Sequence, residues 1–342
     1  MSASFLTVVL ERAFNMRDGF GREIDYMRIS VIDSCNLNCY YCNPCDNNEH
    51  CHALNILSVK EVLCIVRAAT RLGIKHFRLT GGEPLLHPQL DEMVLQIKKI
   101  PGVSSVSLTT NAVLLAQHAK WLKEAGIDSI NVSLDTIDAS EYERITKKPL
   151  LEEVKHGINA AIECGIRVKI NVVLTPQTDV VALTRYVAKK GTDIRFIEMM
   201  PVGEGHTNGV EPYKKVIGTL SKLYGEPCRI NTEKTKEINS GNDKRKIPDN
   251  GPAEYYIFPE LGIRVGLIQA IHGKFCDTCN RIRVTADGRL MPCLGSSVTM
   301  DLVPDSWDFA DDVEKDFAIV RALRAAIKAK PRCHNFNDNA VT

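Results

Sequence analysis

The chain has 342 residues, longer than one ordinary domain, a length that suits one α/β barrel with an appended module. Lysine plus arginine number 43 against 42 acidic residues, so nothing in the net charge of +1 calls for nucleic acid or an anionic membrane, and any anion site must be local. The apolar run Leu6 to Leu10 is cut by Glu11 and Arg12, too short for a secretory core or a membrane span, and a cytoplasmic protein is expected.

Short strand-like segments begin near Tyr26, Lys75, Ser104, Ser129, Arg167 and Asp193, with helical stretches between them, which predicts six successive β/α units. Ser58 and Glu61 form a capping box at the head of the first of these helices, with Leu57 placed to staple onto Val62. A second helix is expected from Val113 to Ala125, ending at Gly126. Six units are fewer than the eight of a closed barrel, so the expected fold is a partial (β/α)6 TIM-like barrel with an open side. Residues 1–215 make up that barrel, and 216–342 form a smaller strand-containing module that covers the opening. Within the module, the polar stretch Asn231 to Gly251 reads as a loop.

The strands alternate. Met27, Ile29 and Val31 oppose Tyr26, Arg28 and Ser30; Phe77 and Leu79 oppose His76, Arg78 and Thr80. Val106 and Leu108 oppose Ser105, Ser107 and Thr109, and Ile130, Val132 and Leu134 oppose Asn131, Ser133 and Asp135. Val168, Ile170 and Val172 flank Lys169 and Asn171. In a parallel barrel the apolar parity faces the helices and the polar parity lines the lumen, which here is too polar to be only core and suits a large polar ligand. The alternative is an antiparallel sheet with one wet face.

Twelve cysteines in a reducing compartment are read for metal binding rather than disulfides. Cys35, Cys39 and Cys42 follow the first strand with C-x3-C-x2-C spacing, at the end of a strand where barrel active sites lie. Three thiolates suffice for three irons of a [4Fe–4S] cluster and leave the fourth open, whereas an electron-transfer cluster takes four. A zinc site completed by Cys45, Cys51 or His52 is the alternative. Thr80-Gly81-Gly82-Glu83-Pro84 ends the second strand, where paired glycines allow a close approach to the backbone. Cys276, Cys279 and Cys293 form a second triplet, with Asp287-Gly288 signalling a hairpin that returns Cys293 toward Cys279. Zinc completed by His272 or Cys228 is again the alternative. Arg281 and Arg283 share one strand parity, and their forks suit phosphate or a purine edge.

The cysteine triplet with the Gly-Gly-Glu-Pro turn resembles the radical S-adenosylmethionine (SAM) superfamily. The stretches Gly19 to Pro44 and Phe275 to Leu294 are similar to the N- and C-terminal signatures of its GTP 3',8-cyclase family, which opens molybdenum cofactor biosynthesis. The resemblance implies two [4Fe–4S] clusters, the first held by Cys35, Cys39 and Cys42, the second by Cys276, Cys279 and Cys293. Its open irons bind SAM and the guanine of GTP. The resemblance places Tyr41, Gly82, Ser133 and Met200 on SAM, with Met199 the alternative to Met200. It places Arg28, Arg78, Thr109, Lys169, Arg281 and Arg283 on GTP, with Thr110 the alternative to Thr109. The implied reaction, that of a lyase, is hydrogen abstraction from C3' of GTP by a 5'-deoxyadenosyl radical, attack of C3' on C8, and reduction to 3',8-cyclo-7,8-dihydro-GTP. The implied partners are an electron donor, a downstream cyclic pyranopterin monophosphate synthase and a second copy of the chain in a homodimer.

Two departures from the family pattern stand out. Asp33-Ser34-Cys35 replaces the common Asp-Arg-Cys, and the end of the sequence, from Pro331 to Thr342, carries no Gly-Gly pair where the family's tail has one. The second departure favours a paralogue performing radical chemistry on another nucleotide. A non-catalytic zinc or nucleotide-binding module is the remaining alternative. Cys45, Cys51, Cys64, Cys164 and Cys333 match no ligand position and read as ordinary thiols.

Overall fold

The structure is a computed structural model that describes residues 16–42, 55–203, 205–206, 210–230, 251–302, 312–334 and 336. Six strands alternate with helices in its first part: β1 (Tyr26–Ser30), α1 (Val59–Arg71), β2 (His76–Thr80), α2 (Leu90–Lys98), β3 (Ser105–Thr110), α3 (Leu115–Glu124) and β4 (Ser129–Ser133). There follow α4 (Ala139–Thr146), α5 (Leu151–Glu163), β5 (Val168–Val173), α6 (Val180–Lys189) and β6 (Asp193–Ile197). The remainder contributes α7 (Gly218–Tyr224), β7 (Cys228–Ile230), β8 (Glu254–Ile257), β9 (Arg264–Ile268), β10 (Arg281–Val284), β11 (Arg289–Met291), β12 (Met300–Asp301) and α8 (Asp312–Lys328).

All strands join one sheet in the order β12-β11-β10-β1-β2-β3-β4-β5-β6-β9-β8-β7. From β10 through β9 every neighbour is parallel, and the outer strands on each side turn antiparallel. The sheet is therefore parallel where helices separate the strands, and the antiparallel alternative does not apply. The C-terminal module extends the barrel at both edges, β10 beside β1 and β9 beside β6, so its strands continue the curved wall.

Local chemistry explains the boundaries. Ser58 and Glu61 make the predicted reciprocal cap of α1. Gly126 follows α3 with φ 87°, which a glycine accepts without strain. The helix starts two residues later than predicted, because the Val113 N–H donates to Asn111 Oδ1 at 3.0 Å and Ala112 sits at φ 66°. Gly288 at φ 77° closes the predicted hairpin between β10 and β11, in which Arg283 pairs with Met291.

Met27, Ile29, Phe77, Leu79, Val106, Leu108, Ile130, Val132, Ile170 and Val172 are fully buried under the helices, as their parity requires. Helix α8 lies against α1, with Arg71 Nη2 and Asp316 Oδ2 2.8 Å apart. No helix among the described residues is long and apolar enough to cross a membrane.

Candidate active site

The first cysteine loop leaves β1 and is clamped from two sides. Gly82 N–H donates to Ile32 O and Glu83 N–H to Ser34 O, both at 2.8 Å, while Asn38 and Tyr40 N–H groups donate to Thr146 and Ile145 at the end of α4. A Cβ on Gly81 would stand 2.4 Å from Ile32 O, and one on Gly82 2.0 Å from Ser34 O. In the direction a side chain would take, both glycines meet the backbone around the cysteine loop, so the missing Cβ atoms permit that close approach. Glu83 is buried and ties that turn to the end of β3, accepting from Leu85 N (3.0 Å), Thr110 Oγ1 (2.6 Å) and Asn111 N (2.7 Å). Burial pushes its carboxyl up to about 7 against the pull of these three donors.

Cys35, Cys39 and Cys42 are gathered in this loop. Burial pushes all three thiols up, Cys39 to about 12, and the charges of Asp135, Glu83 and the neighbouring thiols add to the shift. Tyr41 donates its hydroxyl to Asp135 Oδ2, and Asp135 Oδ1 accepts from Val173 N at 2.7 Å, so the ring is pinned across the ends of β4 and β5. Burial, followed by Asp135, raises the Tyr41 hydroxyl well above its ordinary value.

A cavity of about 560 Å³ runs down the lumen, within the ~300–1,000 Å³ of ordinary ligand sites. Arg28, Arg78, Lys169, Arg281 and Arg283 all line it, as does Met200, while Met199 is buried. Thr109 and Ser133 do not line it; Thr109 Oγ1 accepts from Arg78 Nη1 at 3.5 Å, and Ser133 is exposed at the end of β4. Arg78 Nε donates to the Tyr26 hydroxyl. Burial raises that phenol, but Arg78 and Arg28 outweigh it and hold it below its usual value. Arg28 is held well below its own, first by burial and then by Arg283 and Arg78, and its buried Nε has no hydrogen-bond partner among the described residues. Cationic side chains this close and this dry are arranged for an anionic ligand.

Cys276, Cys279 and Cys293 line the same cavity. Burial pushes Cys276 up, as in the first triplet, whereas the shift at Cys279 runs the other way. Burial pushes Cys279 up, yet Arg281 and Lys330 beside it bring it below the ordinary thiol value, and the Cys276 sulfur accepts the His334 N–H. Sequence reasoning missed two residues that build this end. Arg22 Nη1 donates to Cys276 O (2.6 Å) and Arg332 O (2.9 Å), Nη2 donates to Pro331 O (2.6 Å), and Nε pairs with Asp18. Buried Lys330 donates to Arg281 O and Pro292 O, both at 2.8 Å. Arg22 lies in the Gly19 to Pro44 stretch and Lys330 in no motif, and each reaches carbonyls dozens to hundreds of positions away.

Both donor sets suit iron–sulfur clusters: three soft thiols each, and at the second the residues read as completing a zinc site stand elsewhere. Cys228 stands on β7, at the sheet edge far from β10, and His272 Nδ1 is engaged with buried Glu198. Among the described residues no three His, Cys, Asp or Glu side chains converge around one ion-sized point. Cys45, Cys51 and His52 lie outside the described residues, as do 231–250 of the polar loop and the end of the tail. Cys64 is buried in α1, Cys164 is half-buried, and Cys333 is exposed.

The description "Radical SAM superfamily" matches residues 29–182, and "Molybdenum Cofactor Synthesis C" matches 192–336. The GTP 3',8-cyclase of Clostridium perfringens (strain SM101 / Type A) is 35% identical over 324 residues, covering 94% of this chain and 95% of that one. The GTP 3',8-cyclase of Pelotomaculum thermopropionicum is 36% identical over 327 residues, covering 94% and 95%. Among solved structures, Streptococcus suis SuiB bound to S-adenosylmethionine has the same fold, with a TM-score of 0.57 at 15% identity; the match covers 87% of this chain and 65% of that one. Joined to the two cysteine triplets and the cationic lumen between strands, these matches show that the chain belongs to the radical SAM superfamily and, within it, to the GTP 3',8-cyclase family.

Proposed function

We infer that the protein converts GTP to 3',8-cyclo-7,8-dihydro-GTP, the first step of molybdenum cofactor biosynthesis, using SAM and two [4Fe–4S] clusters. The observation that carries this reading is the lumen cavity that Arg28, Arg78, Lys169, Arg281 and Arg283 line together with Cys276, Cys279 and Cys293. When bound, the clusters and SAM supply the electron and the hydrogen abstraction; the chain's own residues bind, orient and exclude water.

In this reading Cys35, Cys39 and Cys42 hold the first cluster, and Cys276, Cys279 and Cys293 the second. Tyr41, Gly82, Ser133 and Met200 contact SAM. The position of Met200 on the cavity wall, with Met199 buried, favours Met200 over its neighbour. Arg28, Arg78, Thr109, Lys169, Arg281 and Arg283 bind GTP, and the commitment of Thr110 to Glu83 favours Thr109. The five cationic groups neutralise the triphosphate, and each charge-assisted hydrogen bond is worth about 1.5–3 kcal/mol.

The finer parts of the reading are a lyase, cytoplasmic and homodimeric, served by an electron donor and feeding a cyclic pyranopterin monophosphate synthase. Its units are a barrel over 1–215 and a module over 216–342; a division there falls inside the helical segment Tyr213–Tyr224. Anaerobic reconstitution followed by SAM, dithionite and GTP tests the function. About eight irons per chain and a cyclised nucleotide by mass spectrometry are expected. Iron and 5'-deoxyadenosine with unchanged GTP would instead indicate a paralogue acting on another nucleotide, and a colourless zinc protein would overturn both.

A further inference from the structure

We propose that Arg167 binds the far end of the substrate's phosphate chain and so selects a nucleoside triphosphate over a monophosphate; this rests on the nucleotide-binding reading above. Arg167 immediately precedes β5, and its carbonyl accepts from Ile130 N–H at 2.9 Å, continuing the ladder between β4 and β5. Val168 and Ile170 face the helices, so the other parity of this strand faces the lumen, and Arg167 lines the cavity with Lys169 and Asn171. Its Nη2 is buried and has no hydrogen-bond partner among the described residues. Asp128, an acid on the same wall, is already committed: its Oδ2 accepts from Lys98 Nζ (2.8 Å) and Val106 N (2.7 Å). A buried guanidinium N–H is costly without an acceptor, and phosphate oxygens match its fork.

The register sets the position. Arg283, Arg28 and Arg78 are partners across β10, β1 and β2; Arg78 pairs with Ser107, Ser107 with Ser129, and Ile130 with Val168. One row of lumen positions thus runs Arg283, Arg28, Arg78, Ser107, Ser129, Arg167. Three of its cations are neighbours, while Arg167 stands three strands beyond Arg78, about 14 Å along the sheet at ~4.8 Å per strand. A single phosphate held among the first three does not reach it. A chain of phosphates extended along the row, met by the long arginine side chain, does.

The test is calorimetric titration of the reconstituted, unreduced protein with GTP, GMP, ATP and AMP, for wild type, Arg167→Gln and Arg167→Lys, with iron content and melting temperature recorded. Arg167→Gln is expected to weaken GTP about ten- to a hundredfold and GMP less than about threefold, while Arg167→Lys retains part of the affinity. Equal losses for GTP and GMP, or no loss in either, overturn the proposal. The lysine variant keeps the question decidable should the glutamine variant lose iron or fold. If wild type prefers ATP but Arg167→Gln still erases the preference for triphosphate over monophosphate, the GTP reading fails and the role of Arg167 stands. If wild type prefers GTP and the GTP to GMP ratio is unmoved, the reverse holds.

Discussion

Arg22 donates to the carbonyl oxygen of Cys276 at 2.6 Å, a contact between residues 254 positions apart. The same guanidinium pairs with Asp18, whose side chain is fully buried. Replacing Arg22 with methionine strands that carboxylate and frees three carbonyls. We expect Arg22→Met to lose about 3–5 kcal/mol of stability, the cost typical of breaking a buried ion pair, and to lower iron at the second site. Urea unfolding and iron analysis check both.

Gly82→Ala places a methyl group where Ser34 O already stands, 2.0 Å away. The cysteine loop must shift, which costs ~1–3 kcal/mol in a well-packed region. Expected is loss of about half the iron and of SAM cleavage, with GTP affinity within about threefold of wild type. Retention of full iron would show that the loop tolerates the shift.

Lys330→Met keeps the stem but removes the donor to Arg281 O and Pro292 O. Each buried carbonyl left unsatisfied costs about 1–3 kcal/mol. Of the two cations that hold Cys279 down, Arg281 stays and Lys330 is lost, so the thiol is expected to rise and to alkylate more slowly in the apo-protein. Iodoacetamide labelling read by mass spectrometry measures it. An unchanged rate at Cys279 would mean Arg281 alone sets its reactivity.

His87 gives the chain a pH dependence. Its ring is satisfied only when neutral: Nε2–H donates to Leu57 O at 2.9 Å, and Nδ1 accepts from Gln89 N at 3.1 Å. Burial holds its pKa below the ordinary 6.5. Between that lower value and 6.5 the unfolded chain carries more protons than the folded one, so this contribution to stability falls as pH drops below 6.5. His87→Gln should flatten the fall relative to wild type in chemical denaturation across a pH series, and an identical slope would remove His87 as its source.

The barrel strands were legible because period-two alternation and intervening helices are local properties. Tyr26, Ser129 and Asp193 head their strands as read, and the lumen parity of Arg28, Arg78 and Lys169 follows from the same alternation. The addition of β10 to β1 and β9 to β6 was not legible, since parallel pairing between distant segments leaves no short-range pattern. Arg22, Lys330 and Arg167 escaped for a related reason. Their significance lies in which carbonyls or neighbours they meet, and a lone cation in a sequence reads as solvated surface.

The clasp around Cys276 also orders events during synthesis. The first triplet's loop rests on β2, β3, α4 and, through Tyr41 and Asp135, the end of β5, all complete by residue 173. The second triplet's walls need Arg22, Lys330, Pro331 and Arg332 together. A ribosome therefore delivers the parts of one cofactor cradle about midway along the message, and those of the other only when nearly the whole chain has emerged. A product truncated before Lys330 lacks residues that wall the second triplet, while every contact around the first is present.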